Sequence, residues 1–438
     1  MRIDRVEISN FHGIEKVSFN LHPGVTVLLG NNAAGKSAVL DSLAVLAGSY
    51  FLGVDGINSL AIKKSDARQE RRIQTDGSTE LSYYLPCALH ADGQIHDQAL
   101  SWGRELETIE GNTRKGNARA LEQLSTKVHQ SIVKGERVVR PFIAYYSAAR
   151  LGSQKRQTRN QNEKLKDISA GYVSTLEKEG SLWRSQAWFA GLQGRALLGI
   201  ASAREIYEET KRRLLNLFKH IEHPLVDMFY DGEAQKIFVR FEGSDSFTPL
   251  EFLSSGYLSV MAMSMDIVYR IFALNPHLGV EVFQRTTGIA LIDELDMHLH
   301  PKWQGRFVDD LRETFPGLQF IVATHSPFVI QGLRHCYIID MDKNELRQVG
   351  DHVKKSISEV AEDYMNMDEV ERSPYFIEQV NAAEDYYTLL KTTDKTNLQD
   401  VEAAKKKLDD YEVRYDRDPA FIGLLRAERN ASGLDKKE

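Results

Sequence analysis

The chain has 438 residues, room for roughly two to four folding units, with 42% hydrophobic and 27% charged residues, which is ordinary for a globular protein and excludes a disordered one. A net charge of −7, from 55 Lys+Arg against 62 Asp+Glu, disfavours wholesale nucleic-acid coating while leaving room for a local basic patch. Two cysteines, Cys87 and Cys336, cannot make a disulfide framework, and no apolar run approaches the roughly 18 residues of a membrane span, so a cytoplasmic protein with buried, inert thiols and no membrane contact is expected.

In chain order, Ile3, Val6 and Ile8 mark a first alternating strand, and Val17, Phe19 and Leu21 a second. After a turn at His22-Pro23-Gly24, residues 25–29 form a continuous apolar strand of the kind buried inside a sheet. An apolar helix over 38–47 is closed by Gly48. Residues 81–89 and 94–102 read as a hairpin turning at Asp92-Gly93. A polar, helix-compatible stretch over 104–136 leads to a strand at 138–146, then to a polar, basic loop at 150–166. Leu176, Trp183, Trp188, Phe189, Leu192, Ile206, Leu214, Leu217 and Ile221 give helical periodicity across 172–222. Strands at 236–241 and 247–250 follow, then alternating helices and strands to 340, and from about 351 a helical tail with stretches at 377–391, 398–412 and 419–428.

Gly30-Asn31-Asn32-Ala33-Ala34-Gly35-Lys36-Ser37 fits GxxxxGK[ST] after a buried strand and before a helix. Its glycines let the backbone wrap a polyphosphate, Lys36 neutralises the outer phosphates, and Ser37 offers a hydroxyl to Mg²⁺. Ala33 stands where a glycine is common, a change that a negative φ tolerates. Gly288-Ile289-Ala290-Leu291-Ile292-Asp293-Glu294 is a buried strand ending in two carboxylates: Asp293 for the Mg²⁺ shell and Glu294 to take a proton from the attacking water. Ser254-Ser255-Gly256 opens an amphipathic helix over 258–272, a second anion site at a helix N-terminus. His325, in Ala323-Thr324-His325-Ser326-Pro327, ends a further buried strand and returns toward the γ-phosphate. Lys36 and Gly256 are 220 positions apart, and the stretch between them contains strands, which excludes a long coiled-coil arm.

This set resembles an ABC-type ATPase head, with Walker A, signature loop, Walker B, a D-loop at Glu294-Leu295-Asp296 and a switch histidine. Residues 291–304 (Leu-Ile-Asp-Glu-Leu-Asp-Met-His-Leu-His-Pro-Lys-Trp-Gln) and 323–327 resemble the compact RecF/OLD-like branch, and within it the short ATPases of Septu-type anti-phage operons; residues 145–151 and Leu274-Asn275-Pro276 are similar to that group. The resemblance covers about residues 1–340. It implies an α/β fold: a mixed sheet carrying Walker A and B, an antiparallel subdomain, a helical lobe, and a C-terminal helical tail. The corresponding division is 1–105 for the first part of the head, 106–250 for an inserted lobe, 251–350 for the rest of the head, and 351–438 for a partner-docking tail.

It also implies ATP and Mg²⁺ as ligands, and a homodimer or larger assembly sandwiching two nucleotides. Gly30–Ser37, Asp293, Glu294 and His325 would come from one subunit, and Ser254, Ser255 and Gly256 from the other. No effector chemistry is visible in the chain, so the resemblance implies a separately encoded HNH-type nuclease as partner. The chain departs from the group at Ser255, where Asp is frequent, and at His12, where Arg is frequent. No Q-loop glutamine is assigned; Gln69 and Gln74 are candidates. His298 and His300 beside Asp296 read as loop packing rather than a metal site, and Asp340-Met341-Asp342 as a β-turn rather than a nuclease motif. Lys63, Lys64, Arg68, Arg71 and Arg72, and again Arg150, Lys155, Arg156, Arg159 and Lys164, are either a solvated face or a DNA- or RNA-contacting rim.

Overall fold

Five short apolar runs form the parallel core of one sheet. They are β3 (Val25–Leu29), β8 (Phe142–Tyr146), β12 (Gly288–Ile292), β13 (Leu318–Ala323) and β14 (Cys336–Asp340), and β15 (Glu345–Val349) adds an antiparallel edge in the order β15-β14-β3-β13-β12-β8. Every residue of β3, β8, β12 and β13 is buried. Such runs lack polar alternation because both faces of the sheet are covered. Val27, Ala144, Ile292 and Val322 face one core with the helices Ser255–Leu274 and Pro301–Thr314; Leu28, Ile143, Leu291 and Ile321 face the other with the helix Lys36–Gly48. Register pairs Ile292 with Val322 and Tyr146, Leu28 with Ala323, and Leu29 with Asp340. The carboxyl ends of all five strands therefore meet along one edge, where open α/β sheets bind their ligands.

The computed structural model describes residues 1–73, 79–147, 169–176, 183–351 and 353–365, with positions 382, 385, 403 and 406. Chain contacts separate a unit Met1–Met365 from a unit Asn366–Glu438. The three tail helices expected beyond 376 and the basic loop expected at 150–166 lie outside the described residues, apart from those isolated positions.

On the second core sits a four-stranded antiparallel sheet, β2-β1-β6-β7, made of β1 (Arg2–Phe11), β2 (Ile14–Asn20), β6 (Cys87–Ile95) and β7 (Gln98–Leu106). The hairpin turns at His96-Asp97, both at positive φ (49° and 61°), and not at the expected Asp92-Gly93. Gly93 serves close packing instead: a Cβ there would lie 2.1 Å from the Arg2 carbonyl, beside a register shift in β1. Residues 79–83 are a separate strand, β5 (Thr79–Tyr83), paired with β4 (Gln69–Ile73). Gly48 does not end its helix in a left-handed cap either; its φ is −63°, and a Cβ would meet Leu176 at 2.7 Å.

On the first core lie the helices Trp183–Leu197 and Ala201–Asn216 and a three-stranded sheet of β9 (Leu225–Asp231), β10 (Lys236–Phe241) and β11 (Phe247–Pro249). β8 belongs to residues 106–250 yet pairs with β12 in the main sheet. One expectation needs correction. The 20-residue helix Ser255–Leu274 has the length and mean hydropathy (1.4) of a membrane span, but 78% of its apolar window is buried inside the protein. Its apolarity comes from sitting under the sheet. Cys87 and Cys336 are buried free thiols, pushed up to about 12 by burial.

Candidate functional site

The phosphate loop leaves β3 at Gly30 and enters the helix Lys36–Gly48 through Gly35, whose φ of 96° only glycine adopts without strain. Ala33 sits at φ 70°, outside the negative range that would tolerate it, so the loop carries strain of about 1–2 kcal/mol at that residue. Lys36 is 7% exposed, and its Nζ donates to the carbonyls of Gly30 at 2.8 Å and Asn31 at 3.0 Å. Burial lowers its pKa below the ordinary value, a shift that Asp293, Asp342, Asp296 and Glu294 only partly oppose. Ser37 Oγ donates to Asp293 Oδ2 at 2.8 Å, joining the start of the helix to the end of β12.

Asp293 is held from behind, its amide donating to the Tyr146 carbonyl at the end of β8 at 2.8 Å. Glu294 follows at φ 51°, and the Leu295 amide returns to the Ala323 carbonyl at 3.1 Å. The sharp bend turns the second carboxylate into the same cleft as the first. His325, just past β13, has its pKa lowered by burial and by the charge of Lys36, so its ring is neutral at pH 7. Asn32, Ala33, Ala34, Gly35, Lys36, Ser37, Asp293, Glu294 and His325 line one open cleft of about 370 Å³, together with His12. Gly30 and Asn31 do not line it; they accept from Lys36, and the Asn31 amide donates to Asp342 Oδ2 at 2.8 Å.

Two networks missing from the sequence reading brace this cleft. Asp296 accepts from the Thr324 hydroxyl and from the His325 amide (3.3 Å), while Gln304 donates to the carbonyls of Asp296 (3.1 Å) and Leu299 (2.8 Å) and accepts from Ser326 Oγ at 2.5 Å. The loop after Walker B and the loop of the switch histidine are thus one hydrogen-bonded block. In the second network, buried Asp266 on the helix Ser255–Leu274 accepts from Tyr146 OH at 2.9 Å and Arg270 Nε at 2.7 Å. It ties that helix to β8. A polar pair four residues apart inside an apolar helix was the available signal.

Ser254, Ser255 and Gly256 lie outside the cleft of their own chain. Ser254 caps the helix Ser255–Leu274 with no side-chain hydrogen bond to it; both serines are exposed, and Gly256 is buried. A Cβ on Gly256 would lie 2.4 Å from the His298 carbonyl, so the signature loop packs directly on the loop that follows Walker B. Gln69 lies on β4, away from the cleft, and Gln74 is outside the described residues. His300 caps the helix Pro301–Thr314 by accepting from the Lys302 amide at 3.3 Å. In the first basic cluster, Lys64 stacks over Tyr83, and Arg68 over Tyr84 while pairing with Glu15 at 3.1 Å; Arg71 is exposed. The second cluster lies outside the described residues.

The family model described as "AAA domain" matches residues 5–223, half of the chain. The Septu protein PtuA of Bacillus thuringiensis is 23% identical over 93% of each chain. A retron Ec83 probable ATPase of Escherichia coli is 24% identical over 81% of this chain and 73% of its own. The DNA replication and repair protein RecF of Roseiflexus castenholzii is 25% identical over 58% of this chain and 63% of its own. The chain belongs to the AAA-domain family and is an ABC-type ATPase similar to PtuA.

Proposed function

We propose that this protein binds and hydrolyses ATP with Mg²⁺, and that ATP-controlled assembly of two or more copies regulates a separately encoded HNH-type nuclease in an anti-phage defence complex in the cytoplasm. The observation that carries the ATPase reading is the convergence of Lys36, Ser37, Asp293, Glu294 and His325 on one cleft from three strand ends. Ser37 Oγ and Asp293 Oδ2, 2.8 Å apart, are hard oxygen donors of the type Mg²⁺ takes, and the helix N-terminus beside them suits a polyphosphate. Bound there, Mg²⁺ supplies charge neutralisation to the phosphates.

In this reading Lys36 and the loop amides orient the phosphates, Glu294 takes the proton of the attacking water, and neutral His325 offers a hydrogen bond at the γ-phosphate. Ser254, Ser255 and Gly256 reach the nucleotide of a second copy. The defence role rests on the likeness to PtuA and to a retron ATPase, and the tail beyond 351 is assigned to docking the partner.

The alternative is a stand-alone DNA-repair or DNA-binding ATPase, which the likeness to RecF favours. Affinity capture of the tagged chain from a host carrying its neighbouring genes separates the two. A stoichiometric small nuclease is the expected result; the chain alone, or with chromosomal DNA, would replace the first reading by the second.

A further inference from the structure

The turn after β14 carries two carboxylates that the ATPase reading leaves without a task. Asp340, 1% exposed, shapes the turn, its Oδ1 accepting from the amides of Asp342 (3.0 Å) and Lys343 (3.1 Å). β14 runs parallel to β3, and the Met341 amide donates to the Leu29 carbonyl at 2.7 Å. The turn is therefore fastened to the chain at the last residue before the phosphate loop. From there exposed Asp342 reaches back, and its Oδ2 accepts from the Asn31 amide at 2.8 Å. The contact is close throughout: a Cβ on Gly30 would lie 3.1 Å from Met341 Cβ and 3.4 Å from Asp342 Oδ2.

We propose that Asp342 is a positioning residue of the phosphate loop: its carboxylate holds the Asn31 amide, and its negative charge keeps the loop's affinity for a polyphosphate down. Asp342 also belongs to the carboxylates that favour protonated Lys36, which places its field at the phosphate-binding group. An anion beside a site built for a polyanion opposes binding, and the opposition is weakened by salt. An amide engaged by the chain's own carboxylate is, in addition, one donor that the phosphates do not use.

The inference rests on the ATPase reading, and its two parts separate chemically. Asp342→Asn keeps an acceptor oxygen for the Asn31 amide and removes the charge; Asp342→Ala removes both. MgATP binding to the full chain is measured calorimetrically at low and high salt, beside steady-state turnover. Asp342→Asn is expected to bind MgATP about 3–10-fold tighter at low salt. The gain shrinks at high salt, and KM falls with kcat unchanged. Asp342→Ala is expected to lower kcat as well, because the loop loses its anchor. A purely structural Asp342 predicts an Asn variant indistinguishable from wild type at both salts, and that result, or weaker binding, overturns the inference. Wild-type protein that binds no MgATP overturns the ATPase reading itself, so the two failures are distinct.

Discussion

In the proposed ATPase the Walker cleft and the signature loop are both anion sites at helix N-termini, yet the chain finishes only one of them. In the cleft, Lys36 rests on two loop carbonyls, Ser37 holds Asp293, and the loop of His325 is locked to Asp296. At the signature loop Ser254 and Ser255 are exposed, and Ser254 makes no side-chain cap. The backbone beneath is nonetheless fixed, with Gly256 pressed on the His298 carbonyl and Asp266 bound to Tyr146. A rigid base under exposed donors is how a surface is prepared for a ligand brought by another molecule. Under the proposed two-copy site, the difference makes the cleft a binding half and the signature loop a completing half.

The largest expected effect breaks the finished half. Glu294→Gln removes the proposed base, so hydrolysis falls about 10²–10⁴-fold. MgATP then accumulates an assembled species, read as a mass increase in light scattering; an unchanged mass contradicts assembly through ATP.

The next breaks the completing half alone. Gly256→Ala drives a Cβ into the His298 carbonyl and shifts the signature loop. Turnover is expected to drop about 10²-fold while calorimetry shows MgATP binding retained. Equal loss of binding would mean that the two halves are not separable.

A third effect lies behind both halves, on the helix Pro301–Thr314. Asp310 is 5% exposed, its Oδ2 finds no hydrogen-bond donor among the described residues, and burial pushes its pKa up to about 7. Because the folded value exceeds the ordinary 3.8, Asp310 costs stability increasingly as pH rises from about 4 to 7, and the whole cost is present above that. Asp310→Asn is therefore expected to raise thermal stability by about 1–3 kcal/mol at pH 8 and by almost nothing at pH 4. A gain that is the same at both pH values would exclude titration as its cause. The smallest effect is on the loop itself: Ala33→Gly relieves a positive φ and is expected to add about 1 kcal/mol in urea unfolding.

What was legible in the sequence followed from local chemistry. Buried parallel strands show as unbroken apolar runs, and each run here ends in the residue its loop needs, so Lys36, Asp293, Glu294 and His325 could be read as one site. The hairpin turn was misread because Asp92-Gly93 carries turn residues for a different reason: Gly93 makes room for Arg2 of β1, a contact 91 positions away that no local pattern reveals. β9 was missed because only its residues 225, 228 and 230 pack on the core, too sparse for alternation. The bracing by Gln304 and Asp342 was illegible too, since an isolated polar residue declares its partner only once the strands are in register.

The composite nature of the site is the central claim, and mixing two inactive variants tests it most directly. Lys36→Ala loses the binding half and Gly256→Ala the completing half. In a mixed dimer, one site carries both lesions and the other carries neither. A site built from two chains predicts ATP hydrolysis in the mixture well above the sum of the separate variants, and a mixture no more active than that sum would contradict it.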